Sequence, residues 1–480
     1  HNPNDNDEKD KMPINRIIPV LNTLNEIEKV VLMDGVESIN HEKIITWKDF
    51  LSFGKDIEDL EIHSRIDRIN EKDTSALIYT SGTTGNPKGV SLTHNNWKFQ
   101  VESTGKILKF NQGERYVSWL PLAHVFGQLV DNHSWIKNAL HMYVVDSPLN
   151  VVEYAKEVKP HLFIGVPRIY EKIYSNLKSA IDNKSLLKVG LKIPFLSNLF
   201  KVKLKEAVGF SNTRYAATGA APINPDILRF FHNLDIPIYE GYGMTENTAV
   251  ATTNHDGNNK IGTVGIPLED TEIKISDDGE ILIKGQHTMK GYFNNTNATN
   301  ETLIGEWLHT GDIGKIDSDG FLSITGRKKE IYVSSGGKNI APLVIEETMK
   351  SIPIVSQCFL VGDARKYCSA LFTLDLSVVL RDKVGIEVHL IPKDPAEQIR
   401  LLESKGKSVK EYTDSSNVFE EIEKAVNNLN GQFSNPEQIK RFSILPRDFT
   451  IDDGELTPTL KIRRKQISEN WSSIIESMYT

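Results

Sequence analysis

Cysteine is almost missing from this chain: Cys358 and Cys368 are the only two thiols in 480 residues. Two thiols cannot staple a scaffold of this size, so a disulfide framework is not expected and a reducing compartment is. No uninterrupted apolar run reaches the roughly 20 residues that span a bilayer, and no secretory signal pattern is present. The expected location is therefore the cytoplasmic side, soluble or peripherally attached to a membrane. Asn294, Asn297 and Asn300 each open an N-x-T triplet, but in an asparagine-rich loop that says little about secretion. A positive balance is missing as well: 56 Lys and Arg against 64 Asp and Glu leave a net charge of −8, so no nucleic-acid partner is expected. The chain has no initiator methionine, and HNPNDNDEKDK carries almost no apolar residue. Residues 1–12 read as a disordered or cut end.

What is present begins with a 39% hydrophobic content, enough for a large core and more than one domain. The segment YTSGTTGNPKG (Tyr79–Gly89) gathers hydroxyls and bare backbone amides ahead of a single lysine. Such a loop suits a polyphosphate. It is not a Walker A loop, because Pro87 stands where the second glycine belongs and Gly89 follows Lys88. A plain Gly/Ser/Thr linker is the competing reading, yet a linker has no need of Lys88 or of the buried strands on either side.

Around the loop, strand and helix patterns alternate. EKVVLMDG (Glu28–Gly35) reads as a buried strand, and SALIY (Ser75–Tyr79) leads into the loop. GVSLTH follows as a short strand, with Thr93 placed to cap a helix from about His94. HLFIGVP (His161–Pro167) is a strand feeding a helix at Pro167. INPDILRFFHNL is a helix capped by Asn224 with Pro225 in first position, and IPIYE is a strand ending at Glu240. This alternation predicts a largely parallel, layered α/β sheet. From Gly262 the texture turns to short strands, including a hairpin with its turn at Asp317–Gly320. A charged link, RKKE, then opens a smaller α/β segment. The expected organisation is a large α/β domain over 13–326 with a small β-rich subdomain, and a smaller, mobile α/β domain over 327–480.

Further blocks follow the loop: WLPLAHVFGQ (Trp119–Gln128), TGAAPIN (Thr218–Asn224), YEGYGMTEN (Tyr239–Asn247), HTGDIG (His309–Gly314), ITGRKKEI (Ile324–Ile331), GGKNIAP (Gly336–Pro342) and LTPTLKIRR (Leu456–Arg464). In this order they resemble the adenylate-forming superfamily of AMP-binding enzymes, which includes acyl-CoA synthetases, luciferase-like enzymes and peptide-synthetase adenylation domains. GGKNIAP and LTPTLK look most like the long-chain fatty acyl-CoA synthetase branch. The resemblance implies an acyl-CoA synthetase-like fold and a long-chain fatty acid–CoA ligase. Such an enzyme uses ATP and Mg²⁺ to make acyl-AMP and pyrophosphate, then passes the acyl group to CoA. The family ordinarily carries a longer stretch ahead of its phosphate loop than this chain does.

The resemblance also distributes roles. Thr80, Ser81, Gly82, Thr83, Thr84, Gly85 and Lys88 would hold the β- and γ-phosphates that depart as pyrophosphate. Thr245 matches the α-phosphate contact and Glu246 the Mg²⁺ ligand, within an ATP-binding run that includes Glu240, Gly241, Tyr242 and Gly243. Tyr242 would stack on adenine, with Gly219, Ala220 and Ala221 lining its other side. Asp312 and Arg327 would hold the ribose hydroxyls, and Lys329 falls at the hinge, near 327–330. Gly336, Gly337 and Lys338 would line the tunnel for the CoA thiol chain, and His124 would border the acyl pocket. Lys461 matches the mobile cation that reaches both the substrate carboxylate and the α-phosphate. Neither cysteine is required as a nucleophile.

Other readings stay open. The acyl group goes to a carrier-protein thiol in one, and the chain is a catalytically silent acyl- or nucleotide-binding relative in another. Retained GGKNIAP argues against the first, and retained Glu246 and Lys461 argue against the second. KSLLKVGLKIPFLSNLFKVKLKEAVGF (Lys184–Phe210) mixes lysines with apolar residues and holds one acid, Glu206. It reads either as a peripheral membrane contact or as short helices packed on the core.

Overall fold

The computed structural model describes residues 13–33, 38–80, 87–183, 185–333, 338–457 and 462–480. The chain divides into two compact units, residues 1–71 and 72–480. The expected disordered end, 1–12, lies outside the described residues.

The first unit holds the helix Pro13–Leu21 and two short parallel strands, Val30–Leu32 and Ile44–Thr46. Its small core is built on Leu21, Leu32 and Ile44. The segment read as a buried strand from Glu28 to Gly35 is thus a strand of three residues, and only Leu32 in it is fully buried. With one strand as partner, a strand this short has little to cover its other face.

The second unit begins with β1 (Thr74–Thr80) and β2 (Lys88–Thr93), an antiparallel hairpin whose register sets Thr80 opposite Lys88. A distant strand, β12 (Gly291–Tyr292), joins β2 antiparallel. The segments on either side of the glycine-rich stretch are therefore paired strands, and the helix comes only after β2. Helix α1 (His94–Leu108) starts in a capping box: the Thr93 hydroxyl accepts the Asn96 amide at 3.2 Å, and the Asn96 side chain accepts the Thr93 amide at 2.8 Å.

The central sheet contains β3 (Arg115–Ser118), β4 (His141–Val144), β5 (Leu162–Gly165), β6 (Tyr215–Thr218), β7 (Ile238–Tyr242), β8 (Thr252–Thr253) and β9 (Ile266–Pro267). Among the described residues its order is β9-β8-β7-β6-β5-β3-β4. The strands β3 to β7 pair parallel, and β8 and β9 are added antiparallel at one edge. A parallel sheet needs cover on both faces. One face packs Phe163, Ala216 and Ile238 against residues such as Tyr170 of α2 (Pro167–Asn183) and Phe231 of α3 (Pro225–Asn233). Tyr116, Leu162, Tyr215 and Tyr239 form a second cluster. Helix α3 is capped by Asn224, with Pro225 in its first turn, as expected. Strand β7 runs two residues beyond the expected end at Glu240, because Gly241 and Tyr242 pair with Thr253 and Thr252.

A third sheet joins β10 (Glu272–Ile275), β11 (Glu280–Lys284), β13 (Leu303–Ile304), β14 (Trp307–Ile316) and β15 (Leu322–Arg327). The β14–β15 turn falls at Asp317–Gly320, where the Gly320 amide donates to the Asp317 carbonyl at 3.0 Å and Gly320 has φ +87°.

Beyond Arg327, α4 (Pro342–Met349), β16 (Val355–Val361), β17 (Cys368–Leu374) and β18 (Ile439–Ile444) enclose a core of their own around Ile345, Cys358, Phe372 and Val379. Both cysteines are free and buried. A guanidinium joins this region. Arg464 donates to Glu346 Oε1 at 2.9 Å, to Glu330 Oε2 at 3.1 Å and to the Tyr332 hydroxyl at 3.2 Å. Glu346 also accepts the Leu360 amide at 2.6 Å.

Removing one partner of such a buried pair strands the other charge, at a cost of about 3–5 kcal/mol. Arg464→Leu is expected to lower the stability of the chain by about 3 kcal/mol in denaturant unfolding. Arg464→Lys should recover little, since an ammonium cannot make the planar fork. A loss below about 1 kcal/mol in both variants would refute the anchoring role.

Candidate active site

The site is built where β7 leaves the central sheet. After Tyr242 the chain turns back sharply: a Cβ on Gly243 would lie 2.1 Å from the Ala249 carbonyl oxygen, so only glycine fits. A short 3₁₀ turn, Thr245–Asn247, follows. The Asn247 side chain accepts the Met244 amide at 2.6 Å, and the Thr248 hydroxyl donates to the His287 carbonyl at 2.6 Å. The Met289 amide donates to the Glu246 carbonyl at 2.8 Å. The turn is thereby fixed from both sides, with Thr245 and Glu246 buried.

Strands β14 and β15 bring up the next group. Their register places Asp312 opposite Arg327, and Arg327 Nε lies 3.3 Å from Asp312 Oδ1. The Tyr242 hydroxyl donates to Asp312 Oδ2 at 2.8 Å. Burial pushes the Tyr242 phenol well above its ordinary pKa, so it stays a donor. Three residues that the sequence scattered over two sheets thus share one contact.

On the hairpin, Lys88 Nζ sits over the Tyr292 ring, 4.9 Å from its centroid. The Tyr292 hydroxyl donates to Glu246 Oε1 at 2.8 Å. Burial raises the pKa of Glu246, and that hydrogen bond opposes the rise. Tyr292 escaped the sequence reading. A tyrosine after glycine in a turn-rich stretch, KGYFNNTN, carries no signal of its own; only the pairing of β12 with β2 brings it to the site.

Thr80, Lys88, Gly219, Ala220 and Ala221 line one cavity of about 2630 Å³ together with Glu240 to Gly243, Thr245, Glu246, Asp312, Arg327 and Lys329. Ala220 holds a left-handed φ of +68°, an unusual conformation for a residue with a Cβ. Lys329 is exposed, in the 3₁₀ turn Lys328–Glu330. His124 lies half-buried on the same cavity, where its Nδ1 accepts the Phe126 amide at 3.3 Å and caps a short helical turn. Part of the lining is apolar: Leu108, Phe110, Tyr116, Leu129, Leu140 and Leu162. Lys338 does not line the cavity; it contacts Ser434 Oγ and Glu437. Ser81, Gly82, Thr83, Thr84, Gly85, Gly336, Gly337 and Lys461 lie outside the described residues.

Thr218 and Glu240 face each other across the β6–β7 register, and each carries a buried oxygen, Oγ1 and Oε2, with no hydrogen-bond partner among the described residues. Glu240 is 8% exposed, and burial pushes its carboxyl up to about 8.

The family described as AMP-binding enzyme matches residues 6–293. The chain is 34% identical over 452 residues to the long-chain-fatty-acid–CoA ligase FadD15 of Mycobacterium bovis, across 89% of this chain and 72% of the relative. It is 33% identical to the long-chain-fatty-acid–CoA ligase ACSBG2 of Xenopus laevis, across 97% of this chain and 68% of the relative. Among solved structures, an anthranilate CoA ligase, AuaEII, in complex with anthranoyl-AMP is similar with a TM-score of 0.70 at 17% identity, over 96% of this chain and 77% of that one. The O-succinylbenzoate CoA synthetase of Bacillus subtilis in complex with ATP and magnesium is similar with a TM-score of 0.64 at 21% identity, over 94% and 81%.

The Glu240 carboxyl makes stability depend on pH. The folded state keeps its proton between the ordinary value of 4.5 and about 8, where the unfolded chain has lost it. The cost of ionisation is therefore nil below 4.5 and complete above about 8, so it destabilises as pH rises. Glu240→Gln is expected to remove a decline on the order of 3 kcal/mol between pH 5 and 8 in unfolding experiments. Parallel pH profiles for the two proteins would refute the assignment.

Proposed function

The chain belongs to the AMP-binding enzyme family and is an AMP-forming acid–thiol ligase; from that premise we propose that its acid is a long-chain fatty acid and its thiol is CoA. The observation that carries this reading is the single cavity, in which polar groups suited to a nucleotide adjoin apolar lining suited to an acyl chain.

A carboxylate is a poor electrophile, because its leaving group would be oxide or hydroxide. Its oxygen attacks the α-phosphorus of ATP, the bond to the bridging oxygen of pyrophosphate breaks, and acyl-AMP results. Anion attacks anion, so the protein's task is to position and to neutralise. We assign Thr80 to Lys88 to the departing phosphates and Thr245 to the α-phosphate. Tyr242 stacks on adenine against Gly219, Ala220 and Ala221, while Glu240 and Gly241 complete that wall. Asp312 and Arg327 take the ribose hydroxyls. Lys461 supplies a cation between the acid's carboxylate and the α-phosphate.

The donor set suits magnesium carried by the nucleotide. Among the described residues no group of three or more His, Cys, Asp or Glu is arranged to hold a metal. Mg²⁺ commonly takes only one or two carboxylates, completing its shell with waters and substrate phosphates. Glu246 alone meets that need, with Oε1 oriented by Tyr292. When bound, magnesium supplies positive charge against the developing pyrophosphate. In the second step the CoA thiolate attacks the acyl carbon and AMP leaves. For that step we propose that the region beyond 327–330 turns about Lys329, withdrawing Lys461 and presenting Gly336, Gly337 and Lys338 to the thiol chain. His124 borders the acyl group.

The test is production of AMP, pyrophosphate and acyl-CoA from ATP, Mg²⁺, CoA and fatty acids of graded length. Lys461→Ala is expected to slow pyrophosphate release by roughly a hundredfold or more, the loss typical of one electrostatic stabiliser. Acyl-CoA formation from supplied acyl-AMP should persist in this variant. No thioester with free CoA at any chain length would sink the reading.

We also propose that the lysine-rich segment contacts anionic lipid. It forms the helices Ser185–Gly190 and Pro194–Ala207, with Leu204 and Val208 in the core. Phe195 is 90% exposed, and Val189, Leu199 and Val202 are exposed among the lysines. Among the described residues no helix is long and apolar enough to cross a membrane, so contact would be interfacial. Each lysine near an anionic surface contributes about 1 kcal/mol. Vesicles containing phosphatidylglycerol should sediment the protein and neutral ones should not, with binding lost in Phe195→Asp. Equal binding to both vesicle types, unaffected by that substitution, would reject it.

A further inference from the structure

We infer that Tyr292 is a positioning residue that couples the phosphate lysine to the metal carboxylate; this rests on the proposed role of Glu246. The segment 289–293 is tied to both. On one side the Met289 amide donates to the Glu246 carbonyl at 2.8 Å. On the other, the Lys290 amide donates to the Ser91 carbonyl at 3.0 Å and the Phe293 amide to the Gly89 carbonyl at 2.7 Å. The Tyr292 amide itself donates to Thr299 Oγ1 at 2.9 Å. Gly291 makes this fit possible, since a Cβ there would lie 2.8 Å from Thr299 Cγ2.

From this clamped backbone one side chain serves two charges. The phenol hydroxyl donates to Glu246 Oε1 at 2.8 Å, and the ring receives the Lys88 ammonium at 4.9 Å. An anion and a cation this near one aromatic ring would otherwise attract each other directly. Among the described residues Lys88 makes no ion pair with Glu246 or any other carboxylate. The tyrosine satisfies each charge from a different part of itself, hydroxyl for the carboxylate and π face for the ammonium. Both charges therefore stay available to an arriving magnesium–nucleotide, and both are set at one spacing.

The experiment compares wild type, Tyr292→Phe, Tyr292→Leu and Glu246→Gln in two readouts. Calorimetric ATP binding with and without Mg²⁺, in the absence of acid, gives the factor by which the metal tightens the nucleotide. Pyrophosphate release against Mg²⁺ and against ATP separates KM from kcat. Tyr292→Phe is expected to cut the metal's tightening factor roughly tenfold, as loss of a hydrogen bond to a charged group does. It should leave metal-free ATP binding unchanged. Tyr292→Leu should add a rise in KM for ATP, because Lys88 then collapses onto Glu246. Wild-type coupling in Tyr292→Phe, with coupling lost in Glu246→Gln, overturns the inference alone. Coupling intact in Glu246→Gln overturns the metal assignment and the inference with it. A fall in kcat in both Tyr292 variants, with Mg²⁺ and ATP dependence unchanged, marks a merely structural tyrosine and also overturns it.

Discussion

The hydrogen bond from Tyr242 to Asp312 joins two sheets that have no strand in common. Tyr242 ends β7 of the central sheet, and Asp312 lies in β14 of the third. Around this bond the same junction is filled by Ala251, Ile281, Ile283, Leu308 and Leu322. The cavity wall owes its form to that junction. If the phenol let go, Asp312 would lose one of its contacts and the Tyr242 ring one of its restraints. Glu246 is held in the same manner by Tyr292. In each case a phenol, rather than a lysine or arginine alone, orients a buried carboxylate. A neutral donor fixes the carboxylate's geometry without cancelling its charge.

Much of the fold was legible because its signals are local. Thr93 and Asn224 announce helix starts through side chains that reach the next turn, and the Asp317–Gly320 turn rests on a glycine with positive φ. Blocks that lie far apart in the chain, from Gly219 to Ala221, Glu240 to Gly243, Asp312 and Arg327, do line one cavity, whatever they bind there. What escaped was non-local. Strand β12 lies some 200 residues from β2, and two short strands carry no pattern that announces their pairing. Tyr292 was invisible for that reason. The burial of Glu240 was invisible for another: an acidic residue near a strand end looks solvated until its neighbours, Thr218 among them, are known to leave one of its oxygens, Oε2, without a partner among the described residues.

The role proposed for Lys461 and the contacts of Arg464, three residues on, make opposite demands. Arg464 is clamped by Glu346, Glu330 and Tyr332, and two residues before it Ile462 pairs with Leu456. If Lys461 acts in one half of the reaction and withdraws in the other, the body carrying Arg464 must move with it. That body begins at Glu330, because Arg464 already grips it. The residue immediately before Glu330 is Lys329, the proposed hinge, exposed on the cavity rim in a short 3₁₀ turn. On the proposed reading, a pivot at Lys329 falls between the Asp312–Arg327 pair and Glu330, the first carboxylate in the chain that Arg464 holds.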